Sequence, residues 1–177
     1  MDHIIRIYIK LQSHTAIKNS IELIHNIKEK HIPHNSTLAS FDLTNLYMNI
    51  PMSETLQILA YMLKQNNTPQ AHIDEIINIT TIITQQNYFN FNNKTQPEGF
   101  TMGSPISSIF AEIFIHYIER THILNEKNNK YANNIIYWYR YFDDITPIQR
   151  QEQTNQTIAP VHQQTTSKIK FHFINRS

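Results

Sequence analysis

Residues 135–148 read Ile135-Ile136-Tyr137-Trp138-Tyr139-Arg140-Tyr141-Phe142-Asp143-Asp144-Ile145-Thr146-Pro147-Ile148. Ile135 to Phe142 is a hydrophobic and aromatic run of the kind that fills a pleated, half-buried surface, and it predicts a strand. The pair Asp143-Asp144 ends that strand. Ile145 to Ile148 predicts its hairpin partner, with Pro147 tolerable only at a sheet edge. Adjacent carboxylates repel, and a divalent metal is the usual way to make such an arrangement favourable. For a lone Asp pair at a strand end, a solvated turn is the ordinary explanation. A second feature shifts that balance. Thr37 to Leu43 alternates, with Ala39, Phe41 and Leu43 on one face and Leu38, Ser40 and Asp42 on the other. A carboxylate between Phe41 and Leu43 costs several kcal/mol to bury unless a cation meets it. Two strands that each end in Asp point to a shared metal site.

The rest of the chain is organised around these two strands. Met1 to Gln12 reads as a ragged strand, with Ile5, Ile7 and Ile9 alternating against Arg6 and Tyr8. A helix is predicted from Ser13 or Thr15, because Ile17, Ile21, Ile24 and Ile27 recur at helical spacing. Asn49-Ile50-Pro51 predicts a turn into a helix capped by Ser53 and carrying Leu56, Leu59 and Leu63. Thr68-Pro69 starts the next helix, on Ile73, Ile76, Ile77 and Ile83. Tyr88 to Lys94 predicts a short hairpin. Ser104-Pro105 opens the clearest helix, with Ile106, Ile109, Phe110, Ile113, Phe114 and Tyr117 as its apolar stripe. Ile169 to Phe173 offers a last strand. Helices and strands interleave, so the class is α+β with a mainly antiparallel sheet.

Composition narrows the chemistry. The 177 residues suit one domain; 40% are hydrophobic and only 16% charged, against about 25% in an average soluble domain. No Cys is present, which removes disulfides, thiolate zinc sites and cysteine nucleophiles. No apolar run is long enough to predict a transmembrane helix, so no membrane partner is expected. Lys+Arg 15 against Asp+Glu 14 gives a net charge of +1, which neither demands nor excludes nucleic acid. The ten His are scattered and form no helical metal motif. Hard oxygen ligands without sulfur point to magnesium or manganese. Two such ions about 4 Å apart are how polymerases and nucleases handle phosphoryl displacement. Asp42-Leu43-Thr44 matches neither a haloacid-dehalogenase-type nor a pepsin-like site.

Both glycines of the chain, Gly99 and Gly103, lie in Gln96-Pro97-Glu98-Gly99-Phe100-Thr101-Met102-Gly103-Ser104-Pro105. A loop of this kind leading into a helix presents backbone N–H groups to an anion or a base pair. A tight helix start packed on a strand is an equal alternative. No Gly-Lys-Ser/Thr follows, so it is not a Walker loop.

Together the three boxes resemble a reverse transcriptase palm, most closely that of Penelope-like retroelements. Ser40-Phe41-Asp42-Leu43-Thr44-Asn45-Leu46-Tyr47-Met48-Asn49-Ile50-Pro51 resembles the first motif of that group. Gln96 to Ser107 resembles the second, and Arg140-Tyr141-Phe142-Asp143-Asp144-Ile145 the third. The resemblance implies a palm-type antiparallel sheet with helices packed on one face and partial fingers. It implies an RNA-directed DNA polymerase acting on an RNA template, a DNA primer and deoxynucleoside triphosphates with two Mg2+ (or Mn2+) ions. Asp42, Asp143 and Asp144 would be the catalytic metal ligands, and the Leu43 carbonyl would also face a metal. Tyr47 would exclude a 2′-hydroxyl, with core packing as its alternative. Gln96, Gly99, Met102, Gly103, Ser104 and Pro105 would line the nucleotide and template base, and Arg140 and Tyr141 the primer terminus.

The chain departs from the family pattern in places. The basic residues that grip the triphosphate should precede Ile17, where only Arg6 and Lys10 stand. The segment before Ile169 is Gln/Thr-rich and contains Pro160, and His172, Phe173 and Ile174 replace a Thr and an acidic residue. The expectation is therefore one partial reverse transcriptase domain over 1–177, with no thumb or GIY-YIG endonuclease domain. Either it polymerises, or it is a dead retroelement remnant that only folds or binds nucleic acid; a functional element would act in the nucleus.

Overall fold

The computed structural model describes residues 5, 8, 9, 11, 13–85, 90, 91, 94, 95, 100, 104, 106–151 and 171–173. The chain divides into two compact units, one formed by Met1–Gln12 and Asn45–Tyr117, the other by Ser13–Thr44 and Ile118–Ser177.

The first unit is mainly helical. Ile5, Tyr8 and Ile9 are helical, not the ragged strand expected, and Ile5 and Ile9 are buried. Ile5 and Ile9 fit a period of two, but they are also i and i+4, which puts both on one helical face. The Asn66 side chain donates to the carbonyls of Tyr8 (3.2 Å) and Ile9 (2.7 Å) and so ties this segment down. The counted helices begin in the second unit with α1 (Ser20–Lys28), and here α2 (Leu46–Asn49) opens from Asn45 in the left-handed region, φ 52°. Pro51 starts α3 (Met52–Gln65), where Ser53 was expected to cap. Its carbonyl accepts from both the amide and the hydroxyl of Thr55. Leu59 and Leu63 are buried as their spacing predicts, joined by Ile58.

Asn67, at φ 56°, turns the chain into α4 (Gln70–Gln85), which packs on α3 and buries Ile73 and Ile76. The expected hairpin is present as β3 (Asn90–Phe91) paired with β4 (Lys94–Thr95). The helix α5 (Ser107–Ile118) opens with the Ser107 amide donating to the Ser104 carbonyl. Ile106, Ile109, Phe110, Ile113 and Phe114 are buried, while Tyr117 is half-buried. Ala111 and Ile115 are buried too, so α5 is enclosed on more sides than a single stripe.

The second unit holds the sheet. It comprises β1 (Ser36–Leu38), β2 (Phe41–Leu43), β5 (Ile135–Tyr141), β6 (Asp144–Arg150) and β7 (Phe171–Phe173), all paired antiparallel. The β6 strand is central. On one side it pairs with β5; on the other it pairs with β1 and β2, and β7 adds outside β2. β1 and β2 share one register, Leu38 opposite Ile148 and Phe41 opposite Ile145, so they are two halves of the strand expected over 37–43. Ala39, Phe41 and Leu43 are buried while Leu38 is exposed, as the alternation predicts.

Pro147 therefore sits in the central strand and not at an edge, contrary to expectation. Ala39 donates to the Pro147 carbonyl at 3.1 Å, but proline has no N–H to return the bond. The ladder breaks there, between β1 and β2. The absent donor explains the break.

The helix α1 starts later than its isoleucine spacing suggested. Asn19 accepts from the Glu22 amide, and the Glu22 carboxylate accepts from the Lys18 amide, a reciprocal cap that fixes the start. Ser13 to Ile17 instead runs along β5, where Ala16 bridges Arg140. None of the α1 residues is buried; Ile21 is 76% and Ile24 52% exposed.

Candidate active site

The hairpin joining β5 to β6 carries the Asp pair. Tyr141 and Asp144 are register partners, which leaves Phe142 and Asp143 as a two-residue loop. Phe142 has φ 52°, whereas no positive φ occurs at Asp143. A hairpin turn with φ > 0 at its first central position is normally given to glycine. A phenylalanine there carries about 1–2 kcal/mol of strain, so the surrounding structure must hold it.

Asp42 and Asp144 are direct register partners across β2 and β6. Leu43 donates to the Asp143 carbonyl at 3.1 Å, as Ala39 does to Pro147. In an antiparallel ladder this alternation makes Asp42 and Asp144 a non-hydrogen-bonded pair, where side chains stand closest. Directly opposite residues share one face, their Cβ atoms about 4.5–5.5 Å apart. The register thus brings Asp42 and Asp144 side by side, with Asp143 held to β2 through the Leu43 amide. Asp42 is half-buried, and Asp143 and Asp144 are exposed. Among the described residues, no three His, Asp or Glu side chains are gathered closely enough to hold a metal ion. Two carboxylates are thus register partners across the sheet, and a third belongs to the adjoining turn. The donor set is hard oxygen throughout, which suits Mg2+ or Mn2+.

On the opposite side of Asp42, β7 places His172 in register. Leu43 has a buried side chain. Tyr141 and Phe142 are exposed, their rings edge to face at 5.0 Å. Tyr47 lies in α2, half-buried, and its carbonyl accepts from the Phe100 amide at 2.8 Å. Ser104 is half-buried; Gln96, Gly99, Met102, Gly103 and Pro105 lie outside the described residues.

Arg140 sits differently from a primer-facing cation. It is only 4% exposed, and its Nε donates to Glu119 Oε1 at 2.8 Å. The same oxygen accepts from the Trp138 indole N–H at 2.9 Å, and Oε2 accepts from the Thr15 hydroxyl at 2.8 Å. Glu119 begins a π-helical turn, Glu119–Ile123, that continues α5. Glu119, Trp138 and Thr15 lie outside the three sequence boxes. A lone Glu closing an apolar helix and a lone Arg inside an aromatic strand were the available signal, since buried charges need partners.

Residues 4–175 match the family described as reverse transcriptase (RNA-dependent DNA polymerase). No curated protein matches. Among solved structures, the chain is similar to the telomerase of Candida albicans in complex with a TWJ fragment of telomeric RNA. The TM-score is 0.60 at 14% identity, over 84% of this chain and 30% of that one. It is also similar to apo telomerase of Candida tropicalis truncated from its C-terminal domain, with a TM-score of 0.59, 14% identity, and coverage of 83% and 33%. The chain spans about a third of those telomerase chains, and at this identity the likeness is one of α+β fold. With a family match over nearly its whole length, the chain belongs to the reverse transcriptase (RNA-dependent DNA polymerase) family.

Proposed function

We propose that the chain carries the palm of an RNA-directed DNA polymerase, and that its three sequence boxes place it nearest the Penelope-like retroelements. The observation that carries this reading is the register of Asp42 against Asp144, beside Asp143, within a family match. Asp42, Asp143 and Asp144 would hold two Mg2+ or Mn2+ ions. When bound, such ions activate a primer 3′-hydroxyl and neutralise the departing pyrophosphate.

The chain's own residues bind and orient. Tyr47 limits the sugar to one without a 2′-hydroxyl, and the backbone of Leu43 borders the metal site. Gln96, Gly99 and Met102 to Pro105 line the nucleotide and the template base. Tyr141, exposed at the turn, offers a ring to the primer terminus. An RNA template, a DNA primer and deoxynucleoside triphosphates are the substrates of this reading. Telomerase bound to an RNA fragment, a fold neighbour, supports the template class.

The second reading is a palm that folds and binds nucleic acid without polymerising. Primer extension separates the two. The chain is given an RNA template, a DNA primer, deoxynucleotides and Mg2+ or Mn2+, beside Asp143→Ala. Extension that Asp143→Ala abolishes supports the polymerase. Extension absent from both proteins, with template–primer binding retained, supports the second reading.

A further inference from the structure

The strained Phe142 needs something to hold it, because a residue in a sparsely populated region persists only where its surroundings over-determine it. Two residues upstream, Arg140 is fixed on several sides. Its amide donates to the Thr15 carbonyl at 2.8 Å, and its carbonyl accepts from the Ile17 amide at 2.9 Å. Its Nε is held by Glu119, and its Nη1 reaches the Phe142 carbonyl at 3.4 Å. Glu119, 1% exposed, spends both oxygens on Trp138, Arg140 and Thr15. Arg140 Nη2 is buried without a partner among the described residues. Core filling alone does not account for such a pair, since apolar side chains of similar volume often serve stability as well or better.

We infer that Glu119 and Arg140 are positioning residues: Glu119 fixes the guanidinium, and the guanidinium holds the carbonyl of Phe142, so that the Asp143-Asp144 turn stays docked on β2. The value of that docking for metal binding rests on the polymerase reading; the docking itself does not.

The test uses the full chain with two variants. Glu119→Gln keeps the shape but removes the charge, and the double variant Glu119→Met/Arg140→Leu replaces the pair by apolar groups. Hydrogen exchange is followed at two amides of one sheet: Leu43, bonded to the Asp143 carbonyl, and Ala39, bonded to the Pro147 carbonyl. A clamp on the turn predicts local opening, with Leu43 exchanging about tenfold faster while Ala39 is unchanged. Equal acceleration of both, no change in either, or unfolding of both variants would overturn the proposal, because the pair would then act on the whole fold or on nothing.

Mn2+ titration is the second readout. Apparent affinity is expected to fall about tenfold in the folded variants, as when the supports of a ligand are removed. Unchanged affinity where wild-type binding depends on Asp143 would overturn the link between clamp and site. Wild-type Mn2+ binding that is absent, or indifferent to Asp143→Ala, would instead overturn the metal reading, and the Leu43 measurement would still decide the clamp.

Discussion

Asp42 and Asp144 show how a proposed metal site opposes stability. Like charges directly opposite on an antiparallel pair destabilise it by about 0.2–1 kcal/mol. Asp144→Asn is therefore expected to raise the unfolding free energy in metal-free buffer by an amount in that range while abolishing extension. Phe142 stores strain of a different kind. Glycine relieves the left-handed cost but adds freedom to the unfolded chain, so Phe142→Gly should be neutral or stabilising by up to about 1 kcal/mol. Circular dichroism during urea unfolding measures both.

Tyr139 is a third such residue. Burial, followed by the nearby Tyr137, pushes its phenol above the ordinary 10.0. Its hydroxyl is buried without a partner among the described residues. The native state then holds this proton more tightly than the unfolded chain. That contribution is complete below pH 10.0 and is lost as pH rises through the raised value. Tyr139→Phe should blunt the alkaline loss of stability and cost little at pH 7, since it removes an unsatisfied group. Melting temperatures of both proteins from pH 8 to 11 would show it.

At the scale of elements, α5 and α1 are opposites. The isoleucine and phenylalanine spacing of α5 coincides with burial, and the rings of Phe110 and Phe100 meet at a tilt with centroids 4.8 Å apart. Phe110→Ala should cost about 3–5 kcal/mol, and Phe110→Asp should prevent folding. A soluble, monomeric Phe110→Asp with native far-ultraviolet dichroism would show that the position is not core. The helix α1 has equally regular isoleucines, yet Ile21 and Ile24 are exposed. Helical spacing reports that apolar residues share a face, but not whether that face is covered. In the sheet, the central placement of Pro147 was illegible for a related reason. Its missing donor falls opposite Ala39, where the ladder breaks, a pairing fixed by tertiary register.

For the molecule as a whole, catalysis depends on positioning as much as on electrostatics. The chain spans about a third of the telomerase chains it resembles in fold. A net charge of +1 also provides little general attraction for a polyphosphate backbone. The 177 residues alone are therefore expected to extend primers only weakly, with the activity confined to low salt. Efficient extension at physiological salt that disappears in Asp143→Ala would contradict this while supporting the site.

The sequence by itself determined the α+β class, the strand alternation around Asp42, the hairpin bearing Asp143 and Asp144, and the buried face of α5. These are local patterns: a period of two or 3.6, a cap, a turn, each written in neighbouring residues. Three spaced boxes likewise carried the family resemblance. The tertiary structure alone decided which carboxylate faces Asp42, because a one-residue change of register would have brought a different side chain to the opposite position. It also decided the fate of Arg140. A cation in an aromatic strand can reach out to phosphate or inward to a carboxylate, and the choice turned on Glu119, distant in sequence and adjacent only after folding.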